Sequence, residues 1–419
     1  MKSRAGFGAI ARALRNPNYG AYTAGSSISL IGTWMQRIAV GWLAWELTGS
    51  GAWLGAVAFA DLFPTIVVGP LAGVLADRWD QLRVIRIGQV LGLLQALALF
   101  ALTATGTITI GMLLALTLFL GIVAGMNQPA RLALIPSLVP REDLSAAVAI
   151  NSIIFNAARF IGPAAAGALI VTGGTASAFA VNAATFVLFL VALTRVRLPP
   201  APRPPKAAAG ITAEIAEGVR YVAGHAGMAP MMLLLLATCL FVRPVIELLP
   251  GFAADVFGAG AAGLALLTST VGAGAVLGGL WLAGRGDTAG LTRLALANTA
   301  LLALAVLLFV ATDRLWVAVP ALLAAGGGMV VAGVGTQTLI QLSIHPGMRG
   351  RVMSLYGLTF RAGPAVGALA MGVISEETGL RWPVAVGALL TLSACLAAWS
   401  RRKRMAAALE GVPGGSVAD

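Results

Sequence analysis

Apolar runs the length of a bilayer-spanning helix alternate with short polar segments along the whole chain. A helix rising about 1.5 Å per residue needs about 20 apolar residues to cross the hydrocarbon core. Twelve runs meet that length: 19–45, 53–76, 84–104, 108–126, 144–171 and 175–193, then 229–252, 261–283, 291–311, 315–335, 352–374 and 381–399. The pattern predicts an all-α polytopic membrane protein with six helices, an interruption and six more. The interruption opens with RLPPAPRPPK (197–206), a proline-rich extended linker. Ile211, Ile215, Val219 and Val222 then share one helical face opposite Glu214, Glu217 and Arg220, which predicts a helix on the membrane surface. Near the start, Phe7, Ile10 and Leu14 oppose Arg4, Arg12 and Arg15 in the same manner. The expected organisation is an interfacial segment 1–18, a six-helix bundle 19–196, and a cytoplasmic linker with its amphipathic helix 197–227. A second six-helix bundle 228–400 and a basic, disordered tail 401–419 complete it.

Composition supports this reading. Of 419 residues, 58% are hydrophobic and 11% charged, against about 45–50% and about 25% in soluble domains. The net charge of +12 reads as topology and not as nucleic-acid binding, because cytoplasmic loops collect Lys and Arg. With both termini inside, the 28 lysines and arginines fall on inner segments with six exceptions. Arg314 and Arg381 lie in outer loops; Arg37, Arg159, Arg243 and Arg361 lie within spans. The start of the chain has no uninterrupted apolar core of a signal peptide. Cys239 and Cys395 each sit in an apolar run, as inert buried thiols would. Two histidines and no lysine in a Gly-rich GK(S/T) loop leave no His-based metal cluster, no Ser-His-Asp set and no ATP site. An enzyme is therefore not expected, nor any cofactor or metal.

The membrane-embedded arginines expose a repeat. Arg37 and Arg243, and likewise Arg159 and Arg361, are roughly two hundred residues apart. Around the second pair, FNAARFIGPAAAGAL (155–169) matches FRAGPAVGAL (360–369). A charge at membrane depth usually faces a bundle interior or watery cavity. Asp61 and Glu247 join the four arginines there. Arg37 and Asp61 both fall about 12 Å below the outer face, counted from Trp45 and Trp53, so an ion pair is expected. Arg243 and Glu247, four apart, are expected to pair locally. A carboxylate that alternates between a guanidinium and apolar surroundings takes and releases a proton. Asp61, then Glu247, are the proton-coupling candidates, with Arg37 and Arg243; the alternative is permanent pairs that only set helix packing. Gln36, Asn151, Asn156, Arg159, Gln337, Gln341 and Arg361 are candidates for a substrate cavity, with helix packing again the competing role.

One stretch, GPLAGVLADRWDQLR (69–83), stands apart. Gly69 and Gly73 share a helical face that a neighbour can approach closely, and Asp77 ends its helix where the macrodipole disfavours an acid. Gly73, Leu75, Ala76, Asp77 and Arg78 resemble the G-x-L-A-D-R-x-G-R-(K/R) loop of the major facilitator superfamily. Asp80, Gln81 and Leu82 depart from that pattern before Arg83. Within the superfamily, SLIGTWMQRIAVGWLAWELTGS (29–50), NQPARLALIPSLVPREDL (127–144), ELLPGFAADVFG (247–258) and RGRVMSLYGL (349–358) are similar to the branch containing enterobactin exporters and macrolide efflux proteins. The resemblance implies two pseudo-symmetric six-helix bundles and secondary transport: proton-coupled efflux of a small organic molecule, such as a drug or siderophore, by alternating access. It also implies that Gly73, Asp77, Arg78 and Arg83 form a gate, with Asp77 latching near Arg349 and Arg351 at the eleventh span. Gly162, Pro163 and Gly167 partly match the antiporter Gly-Pro motif, although Ala158 replaces a glycine and Gly167 falls one place late. The implied partners are a small-molecule substrate, protons and the lipid bilayer, for a monomer in the bacterial inner membrane with both termini cytoplasmic. Uptake, a lipid or organic-anion carrier, and a non-transporting sensor or scaffold are the alternatives.

Overall fold

The computed structural model describes residues 2–76, 80–197 and 211–410, with backbone alone at 2–7, 70–71, 73–76 and 211–215. The described residues form helices α1 (Lys2–Arg15), α2 (Pro17–Thr48), α3 (Gly51–Leu62), α4 (Pro64–Ala76), α5 (Gln81–Ala104), α6 (Ile110–Leu138) and α7 (Leu144–Thr194). There follow α8 (Ile211–Gly224), α9 (Met228–Phe241), α10 (Val245–Gly251), α11 (Gly260–Arg285), α12 (Leu291–Ala311), α13 (Leu315–Ser343), α14 (Arg349–Thr378), α15 (Arg381–Ser400) and α16 (Arg402–Glu410). Two compact units result, Met1–Lys206 with Ala253–Ser269, and Ala207–Phe252 with Thr270–Asp419.

Helix boundaries follow local chemistry. Asn16 accepts from the amides of Asn18 and Tyr19 and Pro17 opens α2, while Gly49 at φ 56° closes it. Asp80 accepts from Leu82 and Arg83 N–H at 2.8 and 3.1 Å, so the first of the three residues that depart from the superfamily loop is the N-cap of α5. Helix α7 folds back on itself at Gly174 (φ 72°, ψ 171°). Gly162 on its first arm lies against Trp34 and Met35, and Asn182 on its second arm bonds Gln36; both arms thus reach the same level of α2.

The two predicted spans 53–76 and 229–252 are each broken. Pro64 separates α3 from α4, and Pro244 separates α9 from α10, since proline offers no N–H to the helix. The chain from α10 continues through one π-helical turn, Phe252–Val256. The fourth predicted span, 108–126, underestimates α6, which runs on to Leu138 through Pro129 and Pro136. Its added turns bury Ala130, Leu134, Ile135 and Leu138 against Tyr19, Ile85, Ile150 and Leu193.

Glycines set the helix spacing. A Cβ on Gly121 of α6 would stand 2.6 Å from Ala60 O and 2.9 Å from Asp61 O, and one on Gly125 would press on Val68 and Thr65. In the second unit, Gly274 and Gly326 play the same part between α11 and α13. The close approach expected at Gly69 is a different matter. A Cβ there meets nothing within 4 Å, while the contact of α4 with Gly125 of α6 is made by Pro64, Thr65 and Val68.

Three peripheral helices are tied down. Arg12 of α1 bonds the buried Asp143 at 3.0 Å. Helix α8 docks on α14, with Gly218 against the Arg351 backbone and Glu217 paired to Arg351 Nε at 3.3 Å; Val222 is buried there, while Val219 stays exposed. The tail is corrected over 402–410, which form α16 in place of disorder. Met405 and Leu409 are buried, and Glu410 accepts from Gly290 and Thr292 N–H at 2.7 Å each, capping α12 from outside.

Candidate functional site

The expected Arg37–Asp61 pair is formed, Nε to Oδ2 at 3.2 Å, with each side chain about one quarter exposed. Asp61 is the penultimate residue of α3, beside the Phe63–Pro64 break. Pro64 cannot donate to Ala60 O, and Gly121 packs directly against that carbonyl. The acid therefore stands where the helix ladder is interrupted and a neighbouring backbone is closest. On the opposite side, the missing Cβ of Gly162 lets α7 reach α2 at Trp34. This brings Arg159, one turn earlier, over the Trp34 ring at 5.5 Å, while Arg37 covers the same ring at 5.3 Å. Phe155 meets Trp34 edge-on at 5.9 Å. Two guanidiniums, two aromatic rings and one carboxylate thus share one half-buried locus of the first unit. Pro163 is buried beside Gly162, and a Cβ on Gly167 would overlap that of Ala265.

The second unit repeats the packing with different chemistry. A Cβ on Gly363 would press on Cys239, and one on Gly367 on Leu240 O and Pro244. The expected Arg243–Glu247 pairing is corrected. Arg243 N–H bonds Thr238 O, five residues back, and Pro244 follows, so the regular four-residue register is lost. The Arg243 guanidinium lies 4.0 Å over Phe360, itself stacked on Tyr356, and Nη1 is 3.7 Å from Cys239 Sγ. Glu247 occupies the first turn of α10, an end where the helix dipole favours an acid.

Other cavity candidates divide. Gln36 is corrected: it is 1% exposed, donates to Gln95 Oε1 at 2.9 Å and accepts from Asn182 at 2.7 Å. With its amide satisfied across α2, α5 and α7 it locks three helices and presents nothing to a ligand. Asn151 and Asn156 are exposed on α7; Asn156 donates to Ser152 O, and Asn151 borders a small pocket with Tyr19, Tyr22 and Ile154. Gln337 and Gln341 are half-buried on α13, and Arg361 is exposed on α14. Of the gate residues, Gly73 lies in α4 and Arg83 is exposed on α5, while Asp77 and Arg78 lie outside the described residues. Among the described residues, no cluster of three His, Cys, Asp or Glu side chains is placed to hold a metal.

Residues 11–413 match the family described as transmembrane secretion effector. The chain belongs to this major facilitator family. The chain is 28% identical over 347 residues to the enterobactin exporter EntS of Escherichia coli, covering 81% of this chain and 76% of the exporter. Macrolide efflux protein A of Streptococcus pyogenes is 23% identical over 373 residues, 88% of this chain and 92% of that protein. The staphyloferrin A transporter of Staphylococcus aureus is 31% identical over 146 residues, 35% of this chain. The chain spans 37% of that transporter's length and 40% of the length of the transporter YfiS of Bacillus subtilis. Among solved structures, the nucleoside transporter NupG has a TM-score of 0.70 at 14% identity, covering 91% of this chain and 98% of that one. A bacterial homologue of the iron transporter ferroportin gives 0.68 at 18%, covering 92% and 98%. At these identities the likeness shows the fold, which is all-α and polytopic.

The residues that sequence reasoning missed carry no charge. Gln95 and Asn182 are polar residues inside the third and sixth apolar runs, and a polar residue in mid-span is itself the signal. Gly121 and Gly125 form a G-x-x-x-G in the fourth run, the spacing of close helix approach.

Proposed function

We propose that this chain is a proton-coupled carrier that exports a small organic molecule by alternating access. The observation that carries the reading is the Arg37–Asp61 pair at 3.2 Å. It is a carboxylate inside a membrane span, partly exposed, beside a broken helix and next to an aromatic ring, Trp34, that two arginines cover. A guanidinium favours the charged carboxylate and its withdrawal favours the neutral one, so a swing of Arg37 away from Asp61 takes up a proton. Arg159, Trp34 and Phe155 border the same locus and serve as the substrate surface, with Glu247, Arg243 and Arg361 as its counterpart on the second half. The printed names of the relatives, which include enterobactin, staphyloferrin A and macrolides, support a siderophore or drug as substrate. The distribution of Lys and Arg supports cytoplasmic termini in a bacterial inner membrane, and one chain is the working unit. Gly73, Asp77, Arg78 and Arg83 act as the gate, so Asp77→Asn slows transport while sparing ligand binding. The duplicated design performs transport without cofactor or bond chemistry.

The test is export in proteoliposomes under an imposed pH gradient, comparing anionic siderophores with cationic drugs. Saturable flux that depends on the gradient supports the carrier. Flux indifferent to the gradient removes the proton, and no flux for any compound favours a scaffold.

A further inference from the structure

The arginine-rich end of the first unit carries a second surface, unrelated to the Arg37–Asp61 locus. Helix α5 exposes one stripe, Arg83, Ile87, Val90, Leu94 and Leu97, at three- and four-residue spacing, with Ile87, Val90 and Leu94 51%, 43% and 57% exposed. The second arm of α7 exposes Val181, Ala184, Leu188, Val191 and Arg195 in the same way. Both stripes are apolar along their length and end in an arginine. Arg86 bridges the two helices at that same end, donating from Nη2 to Leu193 O at 2.7 Å. Its Nε is buried with no hydrogen-bond partner among the described residues. Arg131 of α6 reaches the adjacent turn of α7, its guanidinium 5.4 Å over Phe189, and its Nε is likewise buried and unpartnered. The nearest acid on α5, Asp80, is engaged with the amides of Leu82 and Arg83.

Buried guanidinium donors without acceptors are costly unless an anion or water reaches them. Arginine presents its donors in a fork that suits phosphate oxygens. A stripe from Arg83 to Leu97 is about 21 Å long, more than the half of a roughly 30 Å hydrocarbon core that one leaflet supplies. We propose that the α5–α7 seam binds one anionic phospholipid, its phosphate held by Arg83, Arg86 and Arg195 and its acyl chains lying on the two stripes. A free phosphate shares the headgroup chemistry but leaves both stripes uncovered, so the lipid is the assigned ligand.

The test titrates phosphatidylglycerol, phosphatidylcholine or inorganic phosphate into the full chain in a neutral detergent. Native mass spectrometry counts bound lipid and the thermal transition follows stability. Phosphatidylglycerol is expected to bind one per chain, at least about tenfold tighter than phosphatidylcholine, and to raise the transition. Arg86→Gln with Arg195→Ala should weaken that binding about tenfold or more, and Arg381→Ala, in the second unit, should leave it unchanged. Should Arg86→Gln fail to fold, Arg83→Ala with Arg195→Ala, both exposed, makes the same test. Equal binding of the two lipids, unaltered phosphatidylglycerol binding by the double variant, or full reproduction of the effect by inorganic phosphate overturns the assignment.

Discussion

Gln36 shows how one side chain changes meaning between pattern and packing. Beside Arg37 it belongs to the polar cluster of the first run, yet its amide is consumed by Gln95 and Asn182. Gln36→Leu keeps the volume and leaves both partners short of a bond, at a cost of about 1–3 kcal/mol. Chemical or thermal unfolding in detergent should show that loss with substrate binding intact. A second residue-scale prediction concerns His225, outside the spans. Its Nδ1 accepts from Gly227 and Met228 N–H at 3.1 Å each, and burial pushes the imidazole below its ordinary value. The folded chain therefore binds fewer protons there than the unfolded one, and stability rises with pH. The contribution is complete above the unfolded value and is lost as pH falls through the folded one. Hydrogen-exchange protection of Gly227 and Met228 should drop between about pH 7.5 and about pH 5.5, and His225→Asn, which still caps, should remove that dependence.

At the scale of elements, two glycines of similar appearance separate cleanly. Gly121 has no room for a methyl against Ala60 O, whereas Gly69 faces open space. Gly121→Ala should destabilise by about 1–3 kcal/mol through overpacking. Gly69→Ala should be neutral or stabilising by about 0.5–1 kcal/mol, from helix propensity alone. A pair of melting curves decides it, and equal effects would contradict the assigned seam. Glu410 offers a third case. Its carboxylate caps α12 across more than a hundred residues of chain, so Glu410→Ala should cost about 1 kcal/mol and loosen α16. The length of the apolar runs made the number and order of the spans legible, because the bilayer sets that length for every spanning helix. It made the breaks at Pro64 and Pro244 less so, since both lie inside unbroken apolar runs. The Glu410 cap was beyond reach, because a charged tail carries no mark of what it will meet.

At the scale of the molecule, the duplication read from Arg37, Arg159, Arg243 and Arg361 returns as paired packing: Gly162 on α2 in one unit, Gly363 on α9 in the other. The chemistry placed on that common scaffold is unequal. Arg37 pairs with Asp61 and also covers the Trp34 ring, whereas Arg243 lies over Phe360 beside Cys239. Depth counting from the interfacial tryptophans anticipated the first, because helical rise converts position into level. The four-residue spacing from which Arg243 and Glu247 were paired failed, because Pro244 changes the register. The proposed cycle takes Asp61, in the first unit, as its titrating group. The most direct measurement is transport by the Asp61→Asn protein in proteoliposomes, with and without a pH gradient, beside substrate exchange at equal pH. Loss of gradient-driven export with exchange retained is the predicted result. Export by Asp61→Asn that still follows the gradient as the parent does would contradict the account.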